Sequence, residues 1–245
     1  MSGHSKWATI KRKKGALDAK RGKLFTKLIK ELTIAARDGG SDPSGNPRLR
    51  LAIDNAKSAN MPADNIERAI KKAAGELEGA TYVEVTYEGY APAGIAVMVE
   101  AVTDNKNRTV AEVRHLFSKG GGNMGESGSV SWMFDRKGVI TIEKQGKSED
   151  DMMEIVLDAG ADDLQTEDEY YTIQTSIEAF EPVRRTILDK GLTVENASIQ
   201  WVAKNMVNVA GEDAEKIMKL IDNLEDNDDV QNVYTNADID ESAIA

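Results

Sequence analysis

Ten cationic residues are crowded into the segment from Lys6 to Lys30, where Asp18 is the single acid. Clustered lysine and arginine bind polyanions, because each phosphate that they neutralise releases condensed counterions. The segment continues into a patterned helix, which favours nucleic-acid binding over a solvated, disordered tail. We therefore assign nucleic-acid contact to these residues: Lys6, Trp7, Lys11, Arg12, Lys13, Lys14, Lys20, Arg21, Lys23 and Lys27.

Trp7 is an aromatic residue inside this basic segment, and two roles are open to it. It could stack on a base, as aromatic side chains do in single-strand binding proteins, or pack on the first helix. Packing is the commoner role of a lone tryptophan.

The rest of the chain has the opposite charge. Residues 1–80 carry 17 Lys and Arg against 9 Asp and Glu, a net charge of +8, whereas the remaining residues carry −19. Averaging hides the basic part, but a partner within a Debye length would still feel it. The sequence therefore predicts a polyanionic partner at the N-terminal end.

A glycine-rich segment, Gly120 to Ser127, comes one residue short of a phosphate-binding loop. Glu126 stands where that motif has lysine, and a helix precedes the glycines where a strand should. We reject nucleotide hydrolysis for this reason. The segment is either a flexible connection or a loop that contacts a partner. The second hypothesis assigns partner contact to these residues: Gly121, Gly122, Asn123, Met124 and Gly125. It expects Asn123 and Met124 to form an exposed tip, which offers one polar and one adaptable apolar contact.

No catalytic or metal-binding constellation stands out elsewhere. The chain has no cysteine, which excludes disulfides, thiolate metal sites and a cysteine nucleophile. His4 and His115 fall in different predicted domains, and the acidic clusters lack the glycine of a calcium loop. We therefore predict a protein that is not an enzyme, with no metal, no cofactor and no small-molecule substrate.

The first eighty residues have the periodicity of helices. Leu24, Leu28 and Leu32 share one face of a helix at about 17–37. Asn46-Pro47 predicts the start of a second helix, with Asn46 as its N-cap, and Pro62 opens a third. The third helix carries three cations that suit phosphate contact better than base readout, namely Arg68, Lys71 and Lys72. We expect a basic three-helix domain over residues 1–80.

Beyond residue 81 the pattern changes to strands and helices. Residues 135–204 read as β-α-β-β-α-β, with a helix opening at Ser148, which is the order of a ferredoxin-like domain. Residues 81–134 and 205–240 supply a second such module, including a strand at 129–134 and a helix opened by a capping box at Thr109. The predicted fold is α+β: a three-helix domain followed by two ferredoxin-like (βαββαβ) modules, the third domain inserted into the second.

The sequence also bears on location. No apolar run approaches the roughly 18 residues that span a bilayer, and no apolar segment follows the basic start as in a secretory signal. We expect a cytoplasmic protein with no membrane partner, acting as a monomer.

Several longer motifs resemble those of the YebC/PmpR family. The first is the opening signature Gly3-His4-Ser5-Lys6-Trp7, followed by Ile10-Lys11 and Lys14. The others are Asn46-Pro47-Arg48-Leu49-Arg50, Asn60-Met61-Pro62, Asp64-Asn65-Ile66, Thr103-Asp104-Asn105, Asn107-Arg108-Thr109, Gly121-Gly122-Asn123-Met124-Gly125 and Gly128-Ser129-Val130. They cover most of the chain.

The resemblance implies a three-domain α/β protein that regulates transcription by binding DNA. A mitochondrial relative is described as a translational activator, and the family has also been linked to the ribosome. Because the signature begins at residue 3, we expect a bacterial, cytoplasmic member. The resulting hypothesis is a nucleic-acid-binding regulator that binds DNA through its basic N-terminal helical domain, with the affinity in residues 6–30, which we call the basic head. The alternative is a ribosome-associated translation factor that binds ribosomal RNA.

Overall fold

The computed structural model describes residues 17–75, 81–167 and 169–239. These form two compact units. One comprises residues 135–202, and the other comprises the described residues before and after it. Helices and antiparallel sheets are both present, which confirms the mixed α+β class.

The chain begins with three helices: α1 (Leu17–Gly39), α2 (Pro47–Ser58) and α3 (Ala63–Ala73). The side chain of Asn46 joins the first two. Its Oδ1 accepts a hydrogen bond from Leu49 N–H at 3.0 Å, and its Nδ2 donates to the carbonyls of Ala35 and Gly40 at 2.7 and 2.8 Å. One buried amide therefore caps the start of α2 and binds carbonyls at the end of α1. The predicted N-cap is confirmed.

Small side chains dominate the core between these helices and allow close helix packing. The buried members are Leu32, Ala35, Ala36, Leu49, Ala52, Ala56, Met61, Ile66 and Ala69. Leu24, on the apolar stripe predicted for α1, is 46% exposed. The stripe is therefore buried only along the C-terminal half of α1.

A sheet follows, built first from β1 (Val83–Tyr90) and β2 (Ala96–Thr103). These strands pair antiparallel over eight residues. The chain continues through α4 (Lys106–Lys119) and the two-residue strand β3 (Asn123–Met124).

The unit of residues 135–202 has a separate four-stranded sheet. Its elements are β4 (Phe134–Glu143), α5 (Glu149–Asp158), β5 (Asp163–Thr166), β6 (Tyr170–Thr175), α6 (Ile177–Asp189) and β7 (Val194–Ala203). The strands lie in the order β5-β6-β4-β7, and Ile140 faces Ile173 across the central pair. Ser148 caps α5 by accepting from Asp151 N–H, as the sequence predicts.

The chain then returns to the first sheet. Its last elements are β8 (Val207–Val209), α7 (Gly211–Glu225), β9 (Val230–Thr235) and β10 (Ala237–Ile239). The first sheet has the order β3-β1-β2-β9, while β8 and β10 form a separate parallel pair. Lys204 N–H donates to the carbonyl of Met133 at 2.9 Å, where the chain returns.

The predicted strand at 129–134 is wrong. Residues Ser131–Met133 form a 3₁₀ turn, and Phe134 opens β4 of the other sheet. The reason is a competing acceptor: the carboxylate of Glu88 binds the backbone N–H groups of Gly128, Val130 and Ser131. Those groups are the donors that a strand would offer to a neighbour.

Among the helices of the described segments, each is too short or too polar to cross a bilayer.

We predict that residues 135–204 fold when excised, because the two helices cover one face of a complete sheet. The fragment should unfold in a single cooperative transition in urea, followed by circular dichroism. Ile173→Ala, in the centre of its core, should lower the unfolding free energy of the fragment by about 2–5 kcal/mol. A fragment without a cooperative transition would show that this boundary is wrong.

Candidate nucleic-acid interface

The sequence assigns nucleic-acid contact to ten residues, and the structure locates four of them. Lys6, Trp7, Lys11, Arg12, Lys13 and Lys14 lie outside the described residues. Lys20 and Arg21 lie in the first turns of α1, and Lys23 and Lys27 follow on the same helix. Nucleic-acid contact by these residues stays a prediction.

Lys23 and Lys27 have partners within the chain. Lys23 Nζ donates to the Asp226 carbonyl at 3.0 Å and lies 3.3 Å from its carboxylate, and Lys27 Nζ donates to the Glu225 carbonyl at 2.9 Å. These carbonyls belong to the C-terminal end of α7, where backbone oxygens lack helical partners and carry partial negative charge. Two lysines of α1 thus neutralise the partial negative charge at the C-terminal end of α7.

Lys30, three residues after Lys27 on α1, lies in the interior. Only 5% exposed, it donates from Nζ to the carbonyls of Val102 and Asp228 at 3.0 and 2.8 Å, and to Asp229 Oδ1 at 2.8 Å. An ammonium group has three protons, so each has an acceptor. The buried charge is fully compensated.

Asp229 receives hydrogen bonds from a second direction. Its Oδ2 accepts from Arg108 Nη2 and from Thr109 Oγ1, each at 2.7 Å. Burial alone would raise the pKa of Asp229, but the hydrogen bonds from Arg108, Lys30 and Thr109 outweigh burial and hold that pKa well below its ordinary value. We call Lys30, Arg108, Thr109 and Asp229 the Asp229 cluster.

The Asp229 cluster explains why Thr109 does not open α4, contrary to the predicted capping box. Asn105 is the N-cap, accepting from Arg108 N–H at 3.1 Å. Thr109 lies one turn into the helix, fully buried, with its hydroxyl directed at Asp229. The motifs of residues 103–109 thus have a structural role. The sequence suggested a capping box at Thr109 because the actual partner of this residue, Asp229, lies 120 residues away.

The glycine-rich segment is anchored along its length. Asn123 and Met124 pair with Tyr90 and Gly89, and Gly125 N–H donates to the Glu88 carbonyl at 2.8 Å. A Cβ atom at Gly122 would lie 2.3 Å from the Tyr90 carbonyl oxygen, which is too close for any side chain. Close backbone approach therefore accounts for a glycine at this position.

Only one residue at the tip of this segment is open to solvent. Asn123 is exposed, whereas Met124 is half-buried against the core beneath the sheet. The expected tip, with both side chains exposed, is therefore wrong for Met124. Partner contact by Gly121, Gly122, Asn123, Met124 and Gly125 stays a prediction.

Glu88 holds the next part of the chain. Its buried carboxylate accepts backbone hydrogen bonds from Gly128 at 2.7 Å and from Val130 and Ser131 at 2.8 Å. Burial alone would raise the pKa of Glu88, but these bonds outweigh burial and lower it. A single side chain thus fixes the backbone of residues 128–131.

Trp132 follows this fixed turn and points outward. Trp132 is 63% exposed, which is the largest exposed fraction among the large hydrophobic residues in the described part of the chain. Its indole Nε1–H donates to the Ser129 carbonyl at 3.1 Å, and Lys204 Nζ donates to the Trp132 carbonyl at 3.0 Å. Sequence reasoning missed Trp132 because it placed this segment in a strand.

The third helix presents a basic face. Arg68, Lys71 and Lys72 are exposed, on the side of α3 opposite the buried Ile66 and Ala69. Lys71 lies 4.0 Å from Glu67, a weak exposed pair. These spacings of three and four place the three cations in one patch suited to phosphate oxygens.

Within the described ranges, no group of His, Asp and Glu side chains could hold a metal ion.

We predict that Asp229→Asn lowers the unfolding free energy by about 3 kcal/mol, because it leaves Lys30 buried without its counter-charge. Since the folded pKa of Asp229 lies below the unfolded value of about 3.9, its contribution is complete above that pH and is lost as the pH falls below it. Urea denaturation at pH 7 and pH 3 measures both effects, and the gap between the two proteins should narrow at pH 3.

Asp226→Asn is the matched control, since it removes an exposed carboxylate three residues earlier that pairs with Lys23. We expect a change of less than about 1 kcal/mol. Equal effects of the two substitutions would contradict a special role for the Asp229 cluster.

We predict that Gly122→Ala destabilises the protein by about 1–3 kcal/mol, because the added methyl overlaps the Tyr90 carbonyl. Gly45→Ala should change stability by no more than about 0.5–1 kcal/mol, since its methyl group would meet no atom within 4 Å and its φ is not positive. Thermal unfolding compares the two. An unchanged melting temperature for Gly122→Ala would show that packing does not require this glycine.

Two family models match the chain. The model of the TACO1/YebC protein N-terminal domain matches residues 5–76, and that of the TACO1/YebC second and third domain matches residues 82–237.

Individual proteins are similar over nearly their whole length. A protein of Chlorobaculum tepidum, named a probable transcriptional regulatory protein, is 59% identical over 100% of this chain and 98% of its own. A Geobacter sulfurreducens protein of the same description is also 59% identical, over 98% of this chain and 96% of its own length. The crystal structure of a conserved hypothetical protein from Aquifex aeolicus matches with a TM-score of 0.86 and 51% identity, over 91% of this chain and 93% of that one.

The names of the two sequence relatives describe regulators rather than enzymes, as the sequence predicts for this chain. The two family models together span residues 5–76 and 82–237, which are most of the protein. The chain therefore belongs to the TACO1/YebC family, as its motifs suggested.

Proposed function

We propose that this protein is a nucleic-acid-binding regulator of gene expression that holds DNA by its phosphates through the basic N-terminal helical domain. The observation that carries this function is the patch of Arg68, Lys71 and Lys72 on α3. Its cations face solvent, whereas Lys23, Lys27 and Lys30 bind oxygen atoms of residues 225–229. With the cations of residues 6–21, the patch gives one end of the chain a strong affinity for polyanions.

The relatives' names, which describe transcriptional regulators, favour DNA as the partner. Base readout in duplex DNA usually requires polar side chains on a helix in the major groove. The exposed side of α3 carries three cations beside the acids Asp64 and Glu67, and these cations suit phosphate contact.

The alternative is a translation factor that binds ribosomal RNA. Exposed Trp132 favours it, because an aromatic ring can stack on the unpaired bases that RNA loops display.

Further features of this proposal follow from the sequence. The protein acts in the cytoplasm as a monomer, without a cofactor or a small-molecule substrate. Its architecture is a three-helix domain of residues 1–80, an α+β domain of residues 81–134 and 205–240, and a ferredoxin-like domain of residues 135–204 inserted into the second.

Fluorescence anisotropy with a labelled 20-base-pair DNA duplex tests the function. We expect the logarithm of the binding constant to fall linearly with the logarithm of salt concentration, with a slope of about −0.9 for each phosphate contacted. The combined charge reversal of Lys11, Arg12, Lys13 and Lys14 to Glu should abolish binding at physiological salt. The double variant R68E/K72E should weaken binding and flatten the slope by about two contacts.

The control for R68E/K72E is K190E/K219E, which changes the net charge by the same amount at two exposed lysines outside the helical domain. It should bind nearly as tightly as the unchanged protein. If the quadruple variant also bound with full affinity, the basic head would not be the binding site.

A further inference from the structure

Trp132 stands in an unusual position for a tryptophan. A large aromatic ring gains stability mainly by burial, yet this residue is 63% exposed. The backbone around it is not loose, since Glu88 binds the N–H groups of three neighbouring residues, including Ser131. The ring is thus presented to solvent by a rigid turn.

The orientation of the ring is also restrained. The indole N–H is engaged with the Ser129 carbonyl, which fixes one edge of the ring to the turn. A side chain held in this way loses little conformational entropy when a ligand covers it. The arrangement therefore suits a binding surface better than an accidental exposure.

The surroundings indicate which ligand fits. The neighbouring exposed residues of the turn are polar or small, namely Glu126, Ser127 and Gly128. Lys204 places its ammonium group at the Trp132 carbonyl, 3.0 Å from the oxygen. The centre of a protein–protein interface is mainly apolar, whereas an exposed aromatic ring on a residue whose carbonyl binds a lysine ammonium group matches a nucleobase and its phosphate.

We propose that Trp132 is a stacking site for one unpaired nucleobase, with Lys204 adding positive charge for the adjacent phosphate. This inference rests on the proposed nucleic-acid function and adds to it a contact with a single-stranded or looped segment. Bases inside a duplex are already stacked on their neighbours and cannot reach the ring. Trp132 therefore contributes to single-strand affinity and not to duplex affinity.

The test compares binding of a labelled 20-nucleotide single strand and a 20-base-pair duplex by anisotropy. Trp132→Ala should weaken single-strand binding about tenfold and leave duplex binding unchanged, while Trp132→Phe should retain most of the affinity. Leu157→Ala, at another exposed apolar residue, is the control and should alter neither. Because Trp132 is exposed, its variants should have the same melting temperature as the unchanged protein.

Intrinsic fluorescence provides a second measurement. Saturation with the single strand should quench the unchanged protein more than Trp132→Phe, because a stacked base quenches the indole at this position.

The outcomes separate the two proposals. If Trp132→Ala bound single strands with full affinity while the basic-head variants lost binding, the stacking site would be wrong and the nucleic-acid function would stand. Equal losses for single strand and duplex would also overturn it, since they would show a role other than stacking. If the unchanged protein bound neither probe, both proposals would fall.

Discussion

The buried carboxylate of Asp229 is the contact on which the rest of this fold depends. It joins Lys30 of α1, Arg108 and Thr109 of α4 and the loop after α7 at distances of 2.7–2.8 Å. Charges are costly to remove from water, so a buried ion pair is tolerated only when its polar atoms are matched. Here the matching geometry specifies where the helical domain sits on the first sheet. The position of α1 is therefore set by an electrostatic contact.

Glu88 uses the same chemistry for a different purpose. Its carboxylate binds backbone N–H groups instead of side chains, and it organises a turn where a strand would otherwise continue. The exposed Trp132 follows directly from this turn, because the fixed backbone of residues 128–131 places the next residue at the surface. The two carboxylates thus fix two separate parts of the chain: Asp229 holds α1 and α4, and Glu88 holds the turn that precedes Trp132.

Local signals in the sequence predicted much of this fold, and distant contacts account for what they missed. Asn46 and Ser148 cap helices as expected, because capping involves atoms only three residues apart. The periodicity also gave the element order of residues 135–202 correctly. By contrast, the partner of Lys30 lies 199 residues away, and no local pattern could show that this lysine is buried. The exposure of Trp132 was likewise hidden, since it depends on Glu88, more than forty residues earlier.

The hydrogen bond between Lys204 and Met133 has a consequence for how the two units share stability. It closes the chain around an excursion of about 70 residues. If that excursion were an unfolded loop, closing it would cost the outer unit about 4 kcal/mol in chain entropy. When residues 135–202 are folded, their ends are already near each other and most of this cost disappears. Folding of residues 135–202 thus removes an entropic cost from the unit that the chain leaves and re-enters.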